Sequence, residues 1–345
     1  MRSATTVRRR IAGVLALLTA ANLAAWAWAL TAFSEHPVLL GTALLAYGLG
    51  VRHAVDADHI AAIDNVTRKL MHDGRQPVGV GFFFALGHST VVVLASIAVA
   101  TTTQALSTRF AAFRSVGAVV GTLVSAFFLL VVAVMNLFVL ASVYRTFRHV
   151  RRGGRYVPED ADVLLSGGGL LARILRPLFA MIGESWHMYP LGFLFGLGFD
   201  TATEISLLGI SATQAAQGVP LWSMLVFPAL FTAGMTLVDT LDGILMIGAY
   251  GWAAVRPIRK LYYNMTMTFL SVVVAVLVGG IESLTLARQT LGLRGAFWNV
   301  VEKVNDTFGS VGYLIIGVFV ATWLGAALIY RVKRYDDLGG SEMAH

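Results

Sequence analysis

Two histidines and two aspartates fall within seven residues in the run Arg52-His53-Ala54-Val55-Asp56-Ala57-Asp58-His59-Ile60. Imidazole and carboxylate together form a ligand set for Ni, Co, Zn or Cu(II). On an unbroken helix His53, Asp56 and His59 share an arc of about 120°. Asp58 then points away, so it needs another neighbour or a distorted helix. Gly48 and Gly50, just before the motif, could permit a break. Further along, His88 stands in Gly87-His88-Ser89-Thr90. Asp200 and Glu204 lie four residues apart, and Asp239 and Asp242 three apart, so each pair shares one helix face. With Asp64 added, seven carboxylates accompany three histidines and one arginine in apolar surroundings. This excess of negative charge calls for a divalent cation or protons. Mg²⁺ does not need imidazole, and Cu(I) favours Met and Cys. The chain has no cysteine and its methionines are scattered. Ni²⁺ and Co²⁺ therefore fit best, with Zn²⁺ and Mn²⁺ next. The metal is a substrate in this reading, and no cofactor is expected. A lone histidine in such a helix is more often a packing residue, and a carboxylate pair can simply accept hydrogen bonds from Thr and backbone. The density of the motif argues against both.

The elements that must hold these residues lie in lipid. Apolar residues make up 57% of the 345-residue chain and charged residues 13%, against about 25% charged in a soluble domain. About 20 apolar residues span a hydrocarbon core as a helix. Eight segments qualify, near 11–33, 38–63, 78–101, 116–144, 188–212, 221–250, 264–288 and 308–330. The fold class expected is an all-α polytopic membrane protein. The first segment, after Arg8-Arg9-Arg10, is too long for a signal sequence and is read as a retained helix. With the N-terminus inside, cytoplasmic segments hold 20 of the 26 Lys and Arg and outer loops hold five. This places both termini in the cytoplasm. Arg68 and Lys69 are counted there with the second loop, leaving Arg52 as the one central cation. The net charge of +7 thus reflects membrane topology and not nucleic-acid binding.

The chain divides into helices one to four (1–144), a cytoplasmic loop (145–187), helices five to eight (188–330) and a cytoplasmic tail (331–345). The loop reads as a hinge or plain linker, with a short interfacial helix over Leu170–Leu178. Polar residues concentrate in segments two, three, five and six, which form an inner set. Each intramembrane charge costs about 2.5–3.5 kcal/mol on insertion scales, so such residues point to function. Gly48-Leu49-Gly50 recurs as Gly196-Leu197-Gly198, and opposite chain directions make this an expected inverted repeat with the site at its axis. On that register Arg52 aligns with Asp200 and Asp56 with Glu204. A buried arginine needs a carboxylate, and both Asp56, one turn along, and Asp200 are candidates.

The motifs resemble those of the nickel/cobalt transporter (NiCoT) family. His53, Asp58 and His59 match its His-x4-Asp-His signature. FALGHSTVVV at 84–93, LGFDTATE at 197–204 and GMTLVDTLDG at 234–243 resemble its other signatures, in order. The resemblance runs from about residue 40 to 250. It implies an eight-helix, high-affinity uptake permease of the bacterial cytoplasmic membrane, with His53, Asp58 and His59 essential and His88 affecting selectivity. The full expected metal set is His53, Asp56, Asp58, His59, His88, Asp200, Glu204, Asp239 and Asp242. The partners expected are a divalent transition-metal ion and the lipid bilayer, with no obligate protein partner. An efflux carrier for the same metals is the alternative. An intramembrane metalloenzyme fits less well, because the eight histidines include no adjacent pair and no His-Glu-x-x-His. Without a Walker loop, the chain is a secondary carrier or facilitator.

Overall fold

The computed structural model describes residues 4–101, 104–151, 182–197, 202–253 and 257–307, together with 312–315 and single positions at 317, 318, 321 and 325. The described residues are helical, with no strand among them. This follows from the solvent: a segment in lipid must satisfy its own backbone N–H and C=O groups, and a helix does so within itself. The helices are α1 (Ala4–Ala32), α2 (Pro37–His53), α3 (Ala57–His72), α4 (Val80–Thr101), α5 (Gln104–Arg151), α6 (Met188–Gly196), α7 (Ala202–Ala216), α8 (Leu221–Met224), α9 (Val226–Ala253), α10 (Pro257–Leu291) and α11 (Ala296–Asp306).

Among the described residues, five helical stretches are long and apolar enough to cross a membrane, over Thr6–Ala32, Val80–Thr101, Val119–Arg145, Leu221–Ala249 and Met265–Leu291. The pair α2–α3, bent by 52°, makes a sixth. The protein is thus a multi-pass membrane protein. The fifth expected segment is divided between α6 and α7, with 198–201 outside the described residues. Most of the eighth segment and the 152–181 part of the long loop, including Leu170–Leu178, also lie outside them.

α9 packs against α2, α3 and α4, while α10 packs along α5. The inner set anticipated from polarity is therefore spatially real, with α5 and α10 flanking it. Close approach is decided by glycine. A Cβ on Gly87 of α4 would overlap the Tyr189 carbonyl of α6, and a Cβ on Gly192 of α6 would overlap the Phe84 carbonyl of α4. Lipid tails are as apolar as side chains, so packing of small residues supplies much of the association energy between such helices. These two glycines seat α4 on α6, one residue from His88.

The break in the second span is not at Gly48 or Gly50. It occupies residues 54–56, where the chain turns by bonds from Val55 N–H to Arg52 O (3.2 Å) and from Asp56 N–H to His53 O (2.9 Å). Gly50 serves a different purpose: a Cβ there would overlap the Phe231 carbonyl, so it lets α2 lie on α9. A Cβ on Gly48 meets nothing within 4 Å among the described residues.

The span also continues further than expected. Arg68 and Lys69 are not in a loop but on the last turns of α3, and both are buried. Arg68 Nη2 donates to Asn65 Oδ1 (2.8 Å), which also accepts from Asn136 Nδ2 (2.6 Å). Lys69 Nζ donates to the Ile182 carbonyl (2.6 Å) and lies 3.1 Å from Asp73. Among the described residues the buried cations are thus Arg68 and Lys69, while Arg52, expected to be the one central cation, is only half-buried. The run of charge at 68–69 resembles a loop in composition, but an amide network and a carbonyl make its burial affordable.

Candidate metal-ion site

The break at 54–56 ends α2 on His53, makes Asp56 the residue preceding α3, and puts Asp58 and His59 in the first turn of α3. A negative charge at a helix N-terminus is favoured by the macrodipole. Asp56 and Asp58 both gain from this, which helps to explain why a helix begins here despite the membrane. α4 then brings His88 alongside. The three imidazole rings meet, with centroids 4.6 Å apart for His53–His59, 4.7 Å for His53–His88 and 4.9 Å for His59–His88. All three are buried, and each offers a ring nitrogen within 4.8 Å of those of the other two.

Carboxylates hold the outer nitrogens. His53 Nδ1 lies 3.0 Å from Asp56 Oδ2 and 3.0 Å from Thr203 Oγ1. His59 Nδ1 lies 3.2 Å from Asp239 Oδ2 and 3.3 Å from Oδ1. A carboxylate accepts, so these contacts place the proton on Nδ1 of each ring and leave Nε2 with its lone pair. His59 Nε2 is buried and has no hydrogen-bond partner among the described residues. His53 Nε2 and His88 Nε2 are 2.8 Å apart, so with the His53 proton on Nδ1 it is His88 Nε2–H that donates to His53 Nε2. Glu204 Oε1 accepts from His88 Nε2 at 2.9 Å and lies 3.9 Å from His53 Nε2. For His53 and His59 the arrangement resembles that of metal-binding histidines, in which the second ring nitrogen is fixed by a carboxylate that sets tautomer and orientation. With metal–nitrogen bonds of about 2.1 Å, tetrahedral ligand nitrogens lie about 3.4 Å apart, so ring nitrogens that all lie within 4.8 Å of one another reach that spacing by small side-chain shifts.

Of the residues expected at the site, His53, His59, His88, Asp56, Glu204 and Asp239 are brought together. Asp58 is half-buried beside them and outside the trio. Asp242 lies one turn beyond Asp239 on α9, and its Oδ2 is buried without a hydrogen-bond partner among the described residues. Asp200 falls outside the described residues, and so does its pairing with Arg52. Arg52 is found with Asp56, Nη1 to Oδ1 at 2.5 Å. Asp56 thus joins the guanidinium to the imidazole of His53. Sequence reading missed two partners. Ser271 of α10 donates to Asp64 Oδ2 (2.5 Å), although its span is not one of those in which polar residues concentrate. The Tyr313 ring lies 5.5 Å from the Arg52 guanidinium carbon. No spacing signal could have found either, since both partners are more than two hundred residues away.

Residues 39–329 match the sequence profile of the high-affinity nickel-transport protein family, NicO. The chain belongs to this family. Membership places it among transport proteins and not enzymes. A high-affinity nickel transport protein of Cupriavidus necator is 60% identical over 337 residues, covering 98% of this chain and 96% of that one. The high-affinity nickel-transport protein NixA of Helicobacter pylori (strain 26695) is 41% identical over 310 residues, covering 88% and 92%. The cobalt transport protein NhlF of Rhodococcus rhodochrous is 40% identical over 335 residues, covering 95% and 94%. No protein of known structure matches the chain.

Proposed function

We propose that the protein is a secondary transporter that takes up Ni²⁺ and/or Co²⁺ across a bacterial cytoplasmic membrane, binding the ion at His53, His59 and His88. The observation that carries this reading is the buried trio of His53, His59 and His88, in which Asp56 and Asp239 hold Nδ1 of His53 and His59 so that Nε2 of each carries the lone pair. Relatives named for nickel and for cobalt support the choice of ion. Glu204 is placed to add an oxygen ligand, while Asp56 and Asp239 orient the rings and supply charge. Asp58 takes its role from the family signature, and His88 is the residue expected to bear on selectivity. Asp200 and Asp242 remain in the proposed set as carboxylates on the route to or from the trio.

Uptake needs no nucleotide. An inside-negative potential favours entry of a divalent cation by about 4.6 kcal/mol per 100 mV. Cells producing the protein are expected to accumulate radiolabelled Ni²⁺ or Co²⁺, and collapsing the potential is expected to reduce the rate. Loss of preloaded metal in place of accumulation would establish efflux and overturn the direction proposed.

The proposed topology has eight spans, both termini in the cytoplasm and an inverted repeat relating the second and fifth spans. The basic-residue bias supports the orientation, and the break of the second span near the site supports the repeat. A C-terminal reporter active only in the cytoplasm is expected to be active, and the opposite result would refute the orientation.

A further inference from the structure

The break at 54–56 is the most exposed weakness of the site. It is a short turn between two helices, and the position of His53 relative to His59 depends on its shape. Something must hold that turn, because a bend of 52° between two short helices has little intrinsic stiffness. α9 packs on both α2 and α3, and α4 packs on α3; Ala54 and Val55 of the turn lie in apolar clusters with residues of α9, and residues of the last expected span reach the same turn.

Residues 312–315 form a helical turn against it. Gly312 lies so close to the break that a Cβ there would overlap the Val55 carbonyl, with the Asp56 carbonyl carbon a further 3.4 Å neighbour. The next residue, Tyr313, sets its ring over the Arg52 guanidinium, the group paired with Asp56. Ile315 is buried in the same apolar cluster as Val55, Ala57, Ile60 and Ala61. Three successive contacts thus fall on the backbone of the turn, on the counter-ion of Asp56 and on the start of α3. The Tyr313 side chain is half-exposed, so its placement over Arg52 is not a consequence of core packing.

We propose that residues 312–315 are a positioning clamp that sets the α2–α3 break, and through it the separation of His53 and His59. Gly312 and Tyr313 are positioning residues and touch no metal. Gly312 is required because the helix must rest on a carbonyl, where only a hydrogen fits. Tyr313 is required for its ring face, which holds Arg52 and so keeps Asp56 on His53 Nδ1. The proposal rests on the reading that the trio binds the transported ion.

The test uses the full chain in detergent or nanodiscs for Ni²⁺ titration, and in cells for uptake kinetics. Gly312→Ala is expected to raise both the Kd for Ni²⁺ and KM about tenfold or more, with a smaller change in Vmax. Gly317→Ala, where a Cβ meets nothing within 4 Å among the described residues, is expected to match wild type. Tyr313→Leu is expected to raise Kd about threefold or more, and Tyr313→Phe, which keeps the ring face, to match wild type. A well-inserted Gly312→Ala protein with wild-type Kd overturns the clamp. Should that variant fail to insert, equal behaviour of Tyr313→Leu and Tyr313→Phe overturns it instead. His59→Ala in the same titration separates the two levels. Retained Ni²⁺ binding there refutes the site itself. Lost binding there, with wild-type binding in the Gly312 and Tyr313 variants, refutes the clamp alone.

Discussion

His59→Ala is expected to abolish nickel uptake at low metal concentration while the protein still reaches the membrane. His59 is 0% exposed, and its Nε2 is buried without a partner among the described residues. An unpartnered buried polar atom costs roughly 1–3 kcal/mol, and a site that tolerates this cost in one state regains it when an ion binds. Alanine supplies no lone pair and leaves Asp239 buried without its imidazole. His53→Ala and Asp58→Ala are expected to have the same effect, the second on the strength of the family signature. Uptake of radiolabelled Ni²⁺, with an immunoblot of the membrane fraction, measures all three. Normal uptake by a membrane-inserted His59→Ala protein would remove the histidine trio from the mechanism. Ligand nitrogens must be unprotonated to bind metal. At constant potential, acidification is therefore expected to lower uptake.

Asp239→Asn is expected to raise KM about 10- to 100-fold, the usual loss when the carboxylate behind a metal-binding histidine is neutralised. Asp239 and His59 are both 0% exposed and lie 3.2 Å apart. Asparagine has the same shape, so the fold is expected to survive. What is lost is the charge that fixes the proton on Nδ1 and makes Nε2 a better donor. The amide can also turn its NH₂ toward the ring, which would favour the wrong tautomer. The KM and Vmax of uptake, compared with those of wild type, decide this. A KM within about twofold of wild type would show that Asp239 does not act through His59, and would leave it as a charge in the cavity.

How much of this was legible in the chain depends on which physical quantities are local. Hydropathy and basic-residue bias are sums along the sequence, so membrane insertion, the helical class and six of the spans could be read directly. The cost of placing His53, Asp56, His59, His88, Glu204 and Asp239 in lipid is also a property of each residue, so the candidate ligands could be named without a structure. Resemblance of ordered motifs then supplied the family.

Where the helix breaks was not local. Glycines at 48 and 50 permit a break, but residues 54–56 are where opposing packing surfaces meet, and Gly50 proves to be a contact with Phe231 instead. The fate of Arg68 and Lys69 was likewise decided elsewhere, by an asparagine on α5 and the carbonyl of Ile182. Periodicity placed His53, Asp56 and His59 on one face, but could not say which nitrogen faces which oxygen. That Asp56 takes both His53 and Arg52, that Asp239 takes His59, and that Gly312 rests on Val55 are pairings across as many as 257 residues. The sequence by itself determined the solvent, the helices and the kinds of ligand, because each is set by a residue and its near neighbours. Only the tertiary structure decided which lone pairs converge, because a hydrogen bond depends on the position of both partners to within a fraction of an ångström.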